Sequence, residues 1–255
     1  MKNLKWITEG QRYAFCMVPI APIRAEQADR SEQISQLLFG EMVEIIGFGQ
    51  PWVRVKSLLD HYEGYLDFKH LLPLTEKELR RWLDQFQYAT EKTLEIESPY
   101  GRLLLSKGAC VGASDFQIGA WQFERSVSVP SMKTCWEHAY EYLNSPYLWG
   151  GKSLFGIDCS GLTQMVFRLQ GINLPRDAYQ QAEGGQEITF EDRQENDLLF
   201  FQNAEGKVIH VGILGAGDQL IHAAGRVRID ELREQGIFNA DMQQLTHHFH
   251  SIRRY

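Results

Sequence analysis

The sequence predicts an α+β chain in which one or two small β-barrels precede a mixed helix and strand domain. Three observations carry this. Residues 13–74 hold short apolar runs broken by Pro19, Pro22, Gly47, Gly49 and Pro51. Val53 and Val55 alternate with Arg54 and Lys56, the period-two pattern of a half-buried strand. Past residue 130 apolar positions recur three or four apart, then give way to strand-like runs. At 255 residues, with 44% apolar and 23% charged content, the chain is long enough for about two domains.

The first barrel is expected over residues 1–74, with strands at 13–23, 42–46, 53–56 and 64–68. Residues 75–90 change character: Leu79, Trp82, Leu83 and Phe86 are spaced for one face of a helix behind a threonine cap. Strand-like runs return at 103–105 and 116–123, with Gly101, Gly108, Gly112 and Gly119 at turns. Residues 75–128 therefore read as a linker helix and a second, degenerate barrel. Trp6, Trp52, Trp82 and Trp121 read as packing residues.

The third domain is expected over residues 129–255. Met132, Cys135, Trp136, Ala139, Tyr140 and Leu143 mark a helix with Ser131 as its cap. A loop over 145–158 leads to a helix over 159–170, burying Leu162, Met165, Val166 and Leu169 and ending at Gly171. Strands follow at 197–202, 207–214 and 219–223.

The formal charge of −7 and the lack of a basic stripe argue against nucleic acid or an anionic membrane surface as partner. No apolar run reaches transmembrane length. Residues 1–20 interleave Lys2, Lys5, Glu9 and Arg12 with apolar positions, which reads as cytoplasmic, with a trimmed secreted form left open. Cys16, Cys110, Cys135 and Cys159 form no Cys-x-x-Cys pair, so neither a zinc knuckle nor a disulfide framework is expected. His247, His248 and His250 lack acidic or thiol companions at ligand spacing and read as an ordinary C-terminal strand. No metal or other cofactor is expected. Arg226 and Arg228 read as a solvated face.

Cys159 stands apart, in Gly156-Ile157-Asp158-Cys159-Ser160-Gly161-Leu162, where a glycine-rich loop enters a helix. A helix start carries unpaired N–H groups and partial positive charge, which bias a thiol toward thiolate and offer donors to an oxyanion. If residues 207–223 form a hairpin turning at Gly215-Ala216-Gly217, His210 faces His222 directly, with Cβ atoms about 4.5–5.5 Å apart. Gly212 then leaves room for the helix bearing Cys159. The expected triad is Cys159 as nucleophile, His210 as the ion-pair partner of its thiolate and later the proton donor to the leaving amine, and His222 as the residue that orients His210. The Cys159 N–H and the Tyr147 hydroxyl are the expected oxyanion donors.

Asp158-Cys159-Ser160-Gly161-Leu162, His210-Val211-Gly212-Ile213 and His222-Ala223 resemble the motifs of the NlpC-type cysteine peptidases, as do Tyr147-Leu148-Trp149-Gly150-Gly151 and Leu174-Pro175-Arg176-Asp177. Residues 31–41 and Tyr62-Glu63-Gly64-Tyr65 are similar to the bacterial SH3-like barrels that precede such peptidases. The resemblance implies a papain-like α+β fold and hydrolysis of the γ-D-glutamyl-diamino acid bond in cell-wall (murein) peptides bearing a free N-terminal L-Ala, in peptide recycling. It also implies that Asp158 and Glu32 hold the substrate ammonium, with Tyr62 or Tyr65 closing the pocket. Trp149 and Tyr147 would line the wall beside the thiol. Ser160 is expected to donate to the D-Glu carboxylate; Arg176 and Asp177 are expected among the substrate-binding residues, Arg176 on that carboxylate, or else the two form a structural ion pair. Two other readings stand beside this one: a cell-wall-binding module with a relic peptidase domain, and an acyl-transferring or amidase variant.

Overall fold

The structure, a computed structural model, describes residues 7–125 and 133–255. Trp6, Ser131 and Met132 lie outside them. Two compact units divide between Ser131 and Met132. Among the described residues no helix is long and apolar enough to cross a membrane.

The first unit begins with β1 (Tyr13–Cys16), β2 (Ile20–Arg24), β3 (Gln33–Leu38), β4 (Met42–Gly47), β5 (Trp52–Ser57), β6 (Glu63–Asp67) and β7 (Leu71–Leu74). They form one antiparallel sheet in the order β3-β2-β6-β5-β4-β1-β7. Leu37 from one edge strand and Leu71 from the other meet Val43, Val53, Val55 and Leu66 in a single core, so the sheet closes on itself as a barrel. The predicted run 13–23 is in fact two strands; β3 was missed because Gln33, Ser35 and Gln36 interrupt the alternation, and β7 because it is a four-residue apolar run broken by Pro73.

Helix α1 (Glu76–Gln85) starts with a capping box in which the Thr75 hydroxyl accepts from the Glu78 N–H and the Glu78 carboxylate accepts from the Thr75 N–H. It is shorter than predicted, because Phe86 turns extended and the chain pairs instead as β8 (Gln87–Tyr88). Trp82 is buried, donating its indole N–H to the Gly40 carbonyl at 2.9 Å and packing on Phe15 and Phe116. Leu83, by contrast, faces solvent. β9 (Thr93–Ser98), β10 (Gly101–Ser106), β11 (Cys110–Val111), β12 (Phe116–Ile118) and β13 (Trp121–Arg125) follow. Four of them make an open sheet, β10-β9-β13-β12, and β11 pairs with β8. The predicted strand 116–123 is a tight hairpin turning at Gly119.

The second unit opens with α2 (Cys135–Tyr140), capped by Thr134 with Glu137 rather than by Ser131. Two short strands, β14 (Lys152–Ser153) and β15 (Gly156–Ile157), precede α3 (Cys159–Arg168) and α4 (Ala178–Glu183). The remainder is β16 (Gln186–Ile188), β17 (Leu198–Gln202), β18 (Val208–Leu214), β19 (Gln219–Ala224), β20 (Arg226–Arg233), β21 (Gly236–Asn239) and β22 (Gln244–Arg254). The sheet runs β16-β22-β17-β18-β19-β20-β21, and β22 also pairs with β21. The long strand β22 thus closes β17 to β21 into a second barrel, with β16 on its outside. Helix α3 packs on β18 and β19, buried along its whole length.

The β18–β19 register differs from the predicted one: Gly212, not His210, lies opposite His222. The turn is longer than Gly215-Ala216-Gly217, because a single 3-10 turn over Ala216–Asp218 is closed by the Gly215 N–H on the Gln219 carbonyl. A Cβ on Gly212 would meet Leu220 at 2.9 Å, so this glycine admits the neighbouring strand rather than the helix of Cys159.

Candidate active site

Asp158 ends the loop in extended conformation, and its Oδ1 accepts from the Gly161 N–H at 2.7 Å, capping α3. Cys159 is therefore the first residue of the helix. The turn needs glycine: a Cβ on Gly161 would lie 2.2 Å from the Gly151 carbonyl oxygen.

Asp158 is buried and its carboxylate is saturated. Besides Gly161, Oδ2 accepts from the Gly150 N–H at 2.8 Å, Arg176 clamps both oxygens at 3.0 and 2.7 Å, and the Ser160 hydroxyl donates at 3.4 Å. A carboxylate offers about four lone-pair sites, so these partners leave none for a substrate ammonium. Asp158, Ser160 and Arg176 hold one another beneath the start of α3. Arg176, 1% exposed, also donates to Ser160 Oγ at 2.9 Å, and Asp158 is an ion partner of it. Asp177 leads into α4, its N–H donating to Gln180 at 3.2 Å.

Cys159 is 6% exposed. Burial, reinforced by the Asp158 charge, pushes its thiol up to about 12, against the opposing pull of the Val211 and Ser160 N–H groups and of Arg176. Burial likewise holds His210 well below the ordinary histidine value, with His222 and His247 adding to the effect. Both shifts favour uncharged groups, so burial opposes the bias toward thiolate that the helix start supplies.

His210 on β18 and His222 on β19 are diagonal neighbours on one face of the barrel wall. Their rings meet edge to face, His210 Nε2 to His222 Nδ1 at 2.8 Å. His222 Nε2 reaches Asp230 Oδ2 on β20 at 2.9 Å, another diagonal, since Asp230 pairs with Leu220. Arg228 in turn donates to Asp230 at 2.8 Å and to Asp241 at 2.9 Å. His247 on β22 stacks on His210, with centroids 4.2 Å apart and planes at 24°. Tyr147 is pinned by its N–H on the Gly225 carbonyl at 3.0 Å. Its phenol is pushed up to about 12 by burial and by Cys159 and Asp158, which keeps the O–H as a donor. A cleft of about 240 Å³ is lined by Tyr147, Ile209, His210, Ala223, Ala224, Gly225 and His247.

Against known proteins, residues 144–246 match the NlpC/P60 family. The second unit is an NlpC/P60 domain. Residues 23–71 match the bacterial dipeptidyl-peptidase SH3 domain. The gamma-D-glutamyl-L-lysine dipeptidyl-peptidase of Bacillus subtilis is 44% identical over 84 residues, 32% of this chain and 28% of that protein. The Bacillus cereus protein of the same name is 38% identical over 93 residues, 36% of this chain and again 28% of that protein, so the matches span little over a quarter of these relatives. Dipeptidyl-peptidase 6 of Lysinibacillus sphaericus is 27% identical over 87% of this chain and 92% of that protein. A crystal structure of an NlpC/P60 family protein from Bacillus cereus superimposes with a TM-score of 0.78 over 95% of this chain and 99% of that one at 20% identity, a likeness of fold.

In the NlpC/P60 domain Tyr147 lies within electrostatic reach of Cys159, the thiol meets the backbone N–H of Val211, the residue after His210, and His210 is bonded to His222, while Trp149 stays on the surface at 57% exposure. In the SH3 domain, Glu32 is exposed, its carbonyl accepting from the Ala25 N–H at 3.0 Å, and Tyr65 pairs with Arg24, so the two flank the end of β2. Tyr62 ends the turn into β6, its carbonyl accepting from the Ser57 N–H. Sequence reasoning missed Asp230 and His247. His248 and His250 are exposed strand residues as expected, whereas His247 lines the cleft.

Proposed function

We propose that the chain is a cysteine peptidase that hydrolyses the γ-D-glutamyl-diamino acid bond of cell-wall peptides bearing a free N-terminal L-Ala. The observation that carries this reading is a thiol at the first position of a buried helix beside a hydrogen-bonded histidine pair. The names of the relatives from Bacillus and Lysinibacillus support the substrate class.

Cys159 Sγ attacks the γ-carbonyl as His210 takes the thiol proton, so charge separates only when the bond forms. The oxyanion is received by the Cys159 N–H and the Tyr147 hydroxyl. His210 then returns the proton to the leaving amine of the diamino acid, and water, activated by the same imidazole, hydrolyses the thioester. His222 holds the His210 ring throughout. In this reading the peptides are those released from the wall, and recycling takes place in the cytoplasm, which cell fractionation tests.

Mass spectrometry of L-Ala-γ-D-Glu-diamino acid peptides, with free or acetylated amines, tests the reaction. The free peptide is expected to yield the diamino acid, and Cys159→Ala to lower turnover by at least ~10⁴-fold. Equal turnover of the acetylated peptide would remove the amine requirement, and with it the role given to Glu32, Tyr62 and Tyr65. Intact peptide with active-fold protein would leave a binding module.

A further inference from the structure

The histidine pair does not end at His222. Its far nitrogen meets a carboxylate, Asp230, whose side chain is only 2% exposed. Burial works to raise the Asp230 carboxyl, but the hydrogen bonds from His222 and Arg228 together hold it below its ordinary value. It is therefore a carboxylate at neutral pH, and a carboxylate only accepts.

We propose that Asp230 is a positioning residue that sets the tautomer of both histidines and so leaves a bare Nδ1 on His210 for the thiol proton. The deduction runs ring by ring. Nε2 of His222 faces an acceptor at 2.9 Å and must carry the hydrogen. His222 is neutral, since burial lowers it, so its Nδ1 is bare and accepts. The nitrogen it accepts from, 2.8 Å away, is His210 Nε2, which must carry its own hydrogen. The remaining nitrogen, Nδ1 of His210, is then an acceptor. The thiol proton passes to that Nδ1 while the sulfur pair forms the S–C bond, and the charge gained by His210 is shared along Nε2–H toward His222 and faced by the Asp230 charge. Arg228, donating from Nη2 to Oδ1 at 2.8 Å with its Nε 2.7 Å from Oδ2, fixes the carboxylate in place.

This rests on the peptidase reading, but its first test does not. Nitrogen NMR of the full-length chain with labelled histidine, at neutral pH and without peptide, is expected to show the Nε2–H tautomer for both His210 and His222. An Nδ1–H tautomer on His222 overturns the proposal, whether or not any peptide is cleaved. In Asp230→Asn the amide can donate, which moves the His222 hydrogen to Nδ1 and presents the wrong nitrogen of His210 to the thiol. The expected result is a fall in kcat of ~10²–10⁴-fold with KM changed less than about threefold. Asp230→Glu is expected to restore the tautomers and at least tenfold of the lost kcat. A folded Asn variant that keeps kcat within about threefold, or loses it with wild-type tautomers, refutes the assignment. If the wild type cleaves nothing, the peptidase reading falls and the tautomers alone decide.

Discussion

The two halves of the site are held by opposite means. At the start of α3 the scaffold is a buried ion pair, Arg176 clamped on Asp158, with both groups closed off from solvent. Across the barrel wall the scaffold is a ladder of uncharged rings, His247 on His210 on His222, with charge only at its far end. The nucleophile needs a fixed place, and a buried pair whose guanidinium keeps its proton provides it. The base has to change charge during the reaction, and only neutral partners let it do so without reorganising the wall.

The contrast predicts effects of different kind and size. Arg176→Ala leaves the Asp158 carboxylate buried without its counter-ion and is expected to cost about 3–5 kcal/mol of stability. The double variant Asp158→Asn, Arg176→Met should recover much of that loss in denaturant melts; equal destabilisation in single and double variants would show that packing, not charge, holds the helix start.

The histidine side should respond to pH instead. His210, His222 and His247 all lie below the ordinary value of 6.5 through burial, His247 at about 4. Below 6.5 the unfolded chain therefore binds more protons than the folded one, so stability falls as pH drops from about 6.5 toward the folded values. Catalysis needs neutral His210, so the acid limb of kcat/KM is expected clearly below 6.5 as well. A limb centred at or above 6.5 would mean that His210 is charged at rest. The smallest effect is expected at His247: Phe should preserve the stack and leave kcat/KM within about twofold, and Ala should lower it no more than about fivefold, in line with ring pairs worth ~0.5–1.5 kcal/mol.

Much of this was legible in the chain because it is local. Asp-Cys-x-Gly after a glycine loop announces a capped helix start, and the structure puts Cys159 there. The histidine pair was recognisable although its register was misread. The real turn shifts the pairing by an even step, and a strand's period of two keeps both rings on the same face. The partner that Arg176 finds 18 residues upstream, Asp158, was not legible, because a loop and a helix separate the two in sequence. Asp230 and His247 reach the site across strands β20 and β22, whose places in the barrel depend on closure between distant strands, and no local periodicity reports that closure. β3 and β7 of the first barrel left no clear pattern for local reasons, polar residues in the one and Pro73 in the other.

A thiol almost wholly out of water has one more consequence. Peroxides and generic alkylating reagents attack the thiolate and need access. At 6% exposure Cys159 offers them little access, so the nucleophile should survive oxidising episodes that exhaust more exposed catalytic cysteines. Covalent probes for it will need to enter the cleft beside Tyr147 and His210 rather than rely on intrinsic reactivity.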